Sequence, residues 1–143
     1  MYKLLKSKYL KLSLVISFML LCAIPSMNAQ NSEQISSMDF VQIQNNNTAE
    51  AMHYYEHNWK VLRKQALEKN YIASYQLLQS EYSEATPFHL ILITTYKDKA
   101  QFDKREDHFR ELIEALGDLN LMNDKKPSEF RKTVFGTDAV HLN

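Results

Sequence analysis

The order in which apolar periodicities follow one another along the chain predicts an α+β fold of the form β-α-β-β-α-β. Two stretches, beginning near Asn47 and Asp98, repeat apolar residues at helical spacing. Four shorter stretches are rich in β-forming residues and bounded by turn-formers. One of these, residues 88–96 (FHLILITTY), is apolar on both faces, the pattern of a strand covered on both sides.

The first strand is expected over residues 38–44. Asp39, Val41 and Ile43 share one face there, and Met38, Phe40, Gln42 and Gln44 share the other. Asn45-Asn46-Asn47 stops it. Asn47 is placed to cap a helix, with Glu50 three residues on to complete a capping box. Met52, Tyr55, Trp59, Leu62 and Ala66 then form one apolar stripe of a helix that runs to about Lys69. Asn70 can take the left-handed conformation that closes such a helix. Residues 71–80 read as the second strand and 81–87 as a turn. In the third strand, 88–96, Phe88, Leu90 and Leu92 should point one way and His89, Ile91 and Ile93 the other. Asp98 with Gln101 offers a second capping box. Phe102, Phe109, Leu112, Ile113 and Leu116 form the inner face of the second helix, closed by Gly117. Residues 119–129, with Pro127, are expected to be irregular, and 130–135 to form the last strand.

This order is the ferredoxin-like unit, a sandwich in which one antiparallel sheet carries two helices on one face. The helices cover only that face. The doubly apolar third strand needs cover on the other face too, and no sequence remains to supply it. A second copy of the chain is therefore the expected partner, a homodimer through the sheet.

Residues 1–29 differ from the rest. Lys3, Lys6, Lys8 and Lys11 precede an apolar run of 13 residues, 12–24; Pro25 and Ser26 break it, and Ala29 stands before the expected cut. Basic, then apolar, then small is the layout of a secretory signal peptide, and the run is short of the roughly 20 residues of a spanning helix. Export to the periplasm or medium is expected, with no membrane association once the signal is removed. The expected organisation is a signal peptide at 1–29, a flexible leader at 30–37, the ferredoxin-like domain at 38–136 and a tail at 137–143. From residue 30 onward the chain has 13 basic and 17 acidic residues, a net charge of −4, which argues against a nucleic-acid partner. The one cysteine, Cys22, lies in the signal. The mature chain thus has no disulfide, cysteine–metal site or thiolate nucleophile. Its two glycines, Gly117 and Gly136, are too far apart for a phosphate-cradling or dinucleotide-binding loop.

The helix stretch HNWKVLRKQAL (57–67), the exit at Asn70-Tyr71, the strand Ile72-Ala73-Ser74-Tyr75 and the FHLILITTY strand together resemble the dimeric α/β-barrel superfamily. Its small stand-alone members, the NIPSNAP-like and antibiotic-biosynthesis-monooxygenase-like domains, are the most similar. The resemblance implies homodimers whose sheets face each other to form a dimeric α/β barrel, and pockets between sheet and helices. It also implies a range of activities that includes cofactor-independent oxygenases, haem-degrading oxygenases and isomerases. The haem-degrading branch uses an asparagine, a tryptophan and a histidine on separate elements. The one tryptophan here, Trp59, sits on the core stripe of the first helix, so that set does not carry over.

Candidate chemistry is sparse. His53-Tyr54-Tyr55-Glu56-His57 fits the H-x-x-E-H pattern of inverted zinc peptidases. On the helical wheel both histidines lie opposite the apolar stripe, beside Lys60 and Lys64, so a solvated face is expected and no metal. His89 interrupts an apolar face of the third strand. It is a candidate general base, or a strand-end histidine satisfied by one hydrogen bond. His108 flanks the second helix's stripe at the rim of a helix–sheet pocket, which Tyr75 and Tyr96 could line as packing or catalytic residues. The charges of the second helix alternate in sign and read as a solvated face. No cofactor is expected. The expected role is binding of a small apolar ligand; the alternatives are a cofactor-independent oxygenase or isomerase, and an assembly domain without ligand.

Overall fold

A computed structural model describes residues 33–142; the segment read as a signal peptide, the start of the leader and residue 143 lie outside it. In chain order the elements are β1 (Ile35–Ile43), α1 (Thr48–Tyr54), a π-helical turn (Tyr55–Trp59), α2 (Lys60–Glu68), β2 (Ser74–Gln79), β3 (Leu90–Tyr96), α3 (Lys99–Asp103), α4 (Arg105–Leu116), α5 (Pro127–Phe130) and β4 (Arg131–Val140). The sheet order is β2-β3-β1-β4, and every neighbouring pair is antiparallel. That order and pairing define the ferredoxin-like fold. The sheet of one chain is open, with β2 and β4 as its edges, and is not a closed barrel.

Register sorts the residues by face. Val41 opposes Leu90 and Asp39 opposes Leu92, while Phe40 opposes Ile91 and Met38 opposes Ile93. The first set faces the helices. Val41, Leu90 and Leu92 pack with Tyr55 and Trp59, and further along Tyr96 packs with Ala66, Ile72 and Leu112. Both helical segments therefore sit on one face of the sheet, as their stripes predict.

The boundaries differ from the sequence reading where pairing extends a strand beyond its apolar pattern. β1 begins at Ile35, inside the expected leader, and β4 continues to Val140, inside the expected tail, because Ile35 and Val140 pair with each other. Residues 127–130 form a short helix that opens with Pro127, a residue suited to a first helical position. Asn70 and Gly117 take positive φ, 57° and 76°, as expected of helix exits. The Asp98 cap forms, its Oδ1 accepting from the Gln101 N–H at 2.7 Å, but Gln101 Oε1 accepts from Lys97 N–H instead of closing the box. The expected box at Asn47 and Glu50 is absent: both side chains accept from the Lys125 ammonium instead. Ile113 is 54% exposed and does not belong to the inner face of α4.

The π-helical turn was not anticipated. Its five residues include Tyr55, Asn58 and Trp59, all buried. Its wider winding brings Asn58 inward. Asn58 Nδ2 donates to the carbonyls of Asn120 (2.8 Å) and Tyr54 (3.1 Å), and its Oδ1 accepts from Asn120 N–H at 2.7 Å. A buried amide so satisfied clamps the segment after α4 onto the first helix.

Candidate functional site

The helix layer stops short of β4. Gly136 and Asp138 on β4, and Asp39 opposite Gly136 on β1, lie on the helix-facing side of the sheet yet are exposed. Beside this opening stand Tyr54 and Tyr55 at the entry to the π-helical turn, Arg63 on α2 and Arg131 at the start of β4. Two backbone features shape the floor. A Cβ at position 136 would meet Asp39 Oδ1 at 2.9 Å, so glycine lets the carboxyl lie flat across β4. The register of β1 and β4 shifts between Phe40 and Val41, leaving Val134 unpaired as a bulge. The bulge keeps Thr133 and Arg131 on the helix side, opposite Val41 and Ile43.

Arg63 is held between two aromatic rings. Its guanidinium carbon lies 4.8 Å from the Trp59 centroid and 4.1 Å from that of Phe109. Its Nε donates to the buried Thr94 Oγ1 at 3.1 Å. Burial pulls its pKa down to about 10, which leaves it charged at neutral pH. Arg131 lies over the Tyr54 ring at 4.7 Å, and its Nη2 donates to Tyr54 Oη at a long 3.3 Å. Arg131 Nε and Tyr55 Oη are both buried without a hydrogen-bond partner among the described residues. Burial pushes the Tyr55 phenol up to about 12, although the Arg131 charge and a loose Arg131 contact, outside normal hydrogen-bond geometry, act in the opposite direction. Desolvation raises the Asp39 carboxyl above its ordinary value, and the charges of Arg63 and Arg131 only partly offset this. Among the described residues, no ion pair joins Asp39 to either arginine.

The residues singled out from sequence are scattered. His89 precedes β3, where its Nδ1 accepts from the Ile43 N–H at 3.0 Å and its ring stacks on Tyr82. Phe88 turns the other way from the sequence reading and joins Phe40 and Phe135 on the sheet side opposite the helices. His108 stacks on Tyr71 at 3.7 Å beside an open hollow of about 300 Å³ rimmed by Lys69, Lys97 and Lys104. Tyr75 packs edge-on against Trp59 in the core, and neither it nor Tyr96 lines that hollow. His53 and His57 stack on each other; His53 Nε2 bonds Asn120, and His57 Nδ1 bonds the His53 carbonyl. No group of three or more histidine, cysteine or carboxylate side chains is placed to hold a metal among the described residues. Nor is any described helix long and apolar enough to cross a membrane.

The fold thus defines a ferredoxin-like α+β domain with a polar opening at one end of its helix-facing side. Solved structures similar to it include HapK from Hahella chejuensis (14% identity, 76% of this chain and 92% of that one, TM-score 0.48). A candidate monooxygenase from Shewanella loihica PV-4 is similar too (20% identity, 78% and 95%, TM-score 0.47). So is an uncharacterized NIPSNAP-like domain protein from Burkholderia xenovorans (8% identity, 79% and 86%, TM-score 0.48). These likenesses are of chain path, and the activities in those names remain those proteins' own. No family model and no curated protein matches the sequence.

Proposed function

We propose that this chain is an exported, small-ligand-binding domain that works as a homodimer, with the ligand seated in the opening above Asp39. The observation that carries the binding role is the set of unpaired polar groups there. Tyr55 Oη and Arg131 Nε are buried neighbours that make no well-formed hydrogen bond, and neither Arg131 nor Arg63 closes an ion pair with Asp39 among the described residues. Such groups cost free energy unless something completes them. The half-buried rings of Tyr54 and Phe109, each against one of the arginines, add apolar surface at the same opening, which suits a largely apolar molecule with one polar end.

The dimer reading is supported by the opposite side of the sheet. Phe40 and Phe135 stack at 4.2 Å there, Phe88 meets Phe40 at 4.9 Å, and Phe135 stays 47% exposed. Export is supported by the basic–apolar–small order of residues 1–29. A second reading, a cofactor-independent isomerase or oxygenase, is favoured by one feature. A carboxyl whose proton affinity is raised by desolvation stands beside a buried phenol, the pairing a general acid–base role calls for. Native mass spectrometry of protein purified from its own host tests the proposal. A dimer carrying a retained small molecule is expected. A ligand-free monomer at micromolar concentration would overturn it.

A further inference from the structure

The hollow beside His108 is built from three separate segments, and none of its lining residues belongs to the opening above Asp39. One side chain makes its floor. Gln101 is 6% exposed; its Nε2 donates to the Asn70 carbonyl at 2.7 Å, and its Oε1 accepts from the Lys97 N–H at 2.8 Å. These bonds tie the exit of α2 to the turn between β3 and α3. The stacked rings of Tyr71 and His108 form a wall. The three lysines at the rim differ in pairing. Lys69 Nζ donates to one oxygen of Glu111 at 2.6 Å and Tyr71 Oη to the other at 2.8 Å, so both oxygens of that carboxylate are taken. Lys97 and Lys104 make no ion pair among the described residues. Along α3 and α4, Lys99, Arg105 and Arg110 each pair with an acidic neighbour, whereas Lys104, which stands among them, lines the hollow. The one acid of the lining, Asp98, uses its Oδ1 to cap α3. Positive charge is thus gathered at one hollow of a chain that is net negative from residue 30 onward.

We infer that this hollow binds a phosphate group, free or carried by a small molecule, between the ammonium groups of Lys97 and Lys104. An ammonium is a point charge with three donors and no preferred plane, so it suits a tetrahedral, multiply charged oxyanion. A planar carboxylate is matched better by the fork of a guanidinium, and no arginine lines the hollow. The flexible stems of the two lysines let both ammonium groups lean over the same space. Brought there alone they repel each other; a dianion between them replaces that repulsion with two attractions. The hollow, about 300 Å³, is larger than a bare anion needs and matches the lower end of small-molecule sites, roughly 300–1,000 Å³. It therefore has room for a small body attached to the phosphate, against the Tyr71–His108 wall.

Isothermal titration calorimetry with phenyl phosphate and with inorganic phosphate tests this on the purified protein, in about 0.15 M sodium chloride, where unspecific attraction is screened beyond about 8 Å. Lys97→Gln and Lys104→Gln should each weaken phosphate binding roughly tenfold, the loss expected of one charge-assisted hydrogen bond. Both side chains are exposed, so the variants should keep the wild-type melting temperature. Lys132→Gln removes an exposed lysine of β4 that has no ion pair among the described residues, and it should leave binding unchanged. Tighter binding of phenyl phosphate would make a phosphate ester the ligand, and equal binding would make it free phosphate. The assignment would be overturned if neither probe bound at millimolar concentration, if binding were untouched in the two hollow variants, or if Lys132→Gln weakened it as much as they do. Any of these failures would leave the reading of the opening above Asp39 standing, because the two places share no residue.

Discussion

On the helix-facing side of the sheet Val41, Leu90 and Leu92 are 1%, 1% and 5% exposed, whereas on the opposite side Leu78 and Phe135 are 41% and 47% exposed. Both surfaces are built from similar residues on the same strands. Only the cover differs, because two helices can lie on one face of a sheet and leave much of the other uncovered. The helix-facing side is itself divided. Over β3 and around Val41 of β1 it is closed and largely apolar; at Asp39 of β1 and along β4 it opens onto polar groups. The closed region holds the fold together, while the two uncovered regions have groups whose requirements the chain does not meet alone. One lacks apolar cover and the other holds charged groups left unpaired, which is why we propose association at the first and ligand binding at the second.

The contrast between the faces predicts opposite outcomes for one kind of substitution at neighbouring residues. Leu92→Glu places a charge in the closed core beside Val41 and Trp59. An uncompensated buried charge costs roughly 3–5 kcal/mol, a large share of a domain's typical stability. The variant should lose its cooperative thermal transition and the near-ultraviolet signal of Trp59. Ile91→Glu points the other way and should leave the monomer's fold intact by far-ultraviolet circular dichroism. If the wild type is the proposed dimer, it should shift the sedimentation to that of a monomer, since a buried aliphatic side chain at an interface contributes roughly 1.5–3 kcal/mol. Equal damage from both substitutions would remove the distinction between a core face and an association face.

Much of this division was legible in the sequence. Alternation in residues 38–44 assigned Val41 to one face and Phe40 to the other, and the stripe through Trp59 and Ala66 oriented the first helix. The polar opening was overlooked, although two of its members left a signal. Asp39 stands on the same face as Val41 and Ile43, and Arg63 follows Trp59 by four residues, so both are charges at positions that periodicity reserves for the core. Arg131 left none. Its orientation depends on the bulge at Val134, a property of strand pairing, and the same is true of Asn58, which is turned inward by the π-helical winding. The failed cap at Asn47 has a similar cause: Lys125, 78 residues away, takes the oxygen that local chemistry would have spent on the helix. Local pattern fixes elements and faces; contacts distant in sequence decide which polar group wins a shared partner.

Asp39 allows a finer test of the difference between its opening and the closed core. Its pKa is raised above the ordinary 3.8, chiefly by desolvation. The folded state therefore binds a proton more tightly than the unfolded chain does. Stability falls as pH rises from the unfolded value through the folded one, and the cost is complete above it. Asp39→Asn removes this titration. The variant should equal or exceed the wild type in urea midpoint near neutral pH, with the difference narrowing in acid. A residue kept where it lowers stability is kept for another reason, consistent with a functional site. A variant clearly less stable at neutral pH would make Asp39 a structural anchor.

The smallest effect expected lies on neither face and has the opposite sign. Glu50 accepts from Lys125 and Asn123 in a polar tether between α1 and the segment before α5. Those hydrogen bonds hold its carboxyl at about 2, below the ordinary 4.5. A depressed pKa contributes stability that is complete above the unfolded value and is lost as pH falls through the folded one. Glu50→Gln should therefore lower the melting temperature slightly at neutral pH, and its deficit should fade between about pH 4.5 and pH 2. Glu50 itself is largely covered, but its partner Lys125 is 41% exposed, so solvent screens part of the interaction, and the shift should be modest and weaken further with added salt. Paired pH series on Asp39→Asn and Glu50→Gln would then give difference curves of opposite slope. If the curves ran in parallel, the two carboxyls would share one environment. Asp39 would then be an ordinary surface acid, and the opening above it would lose its main claim to be a site.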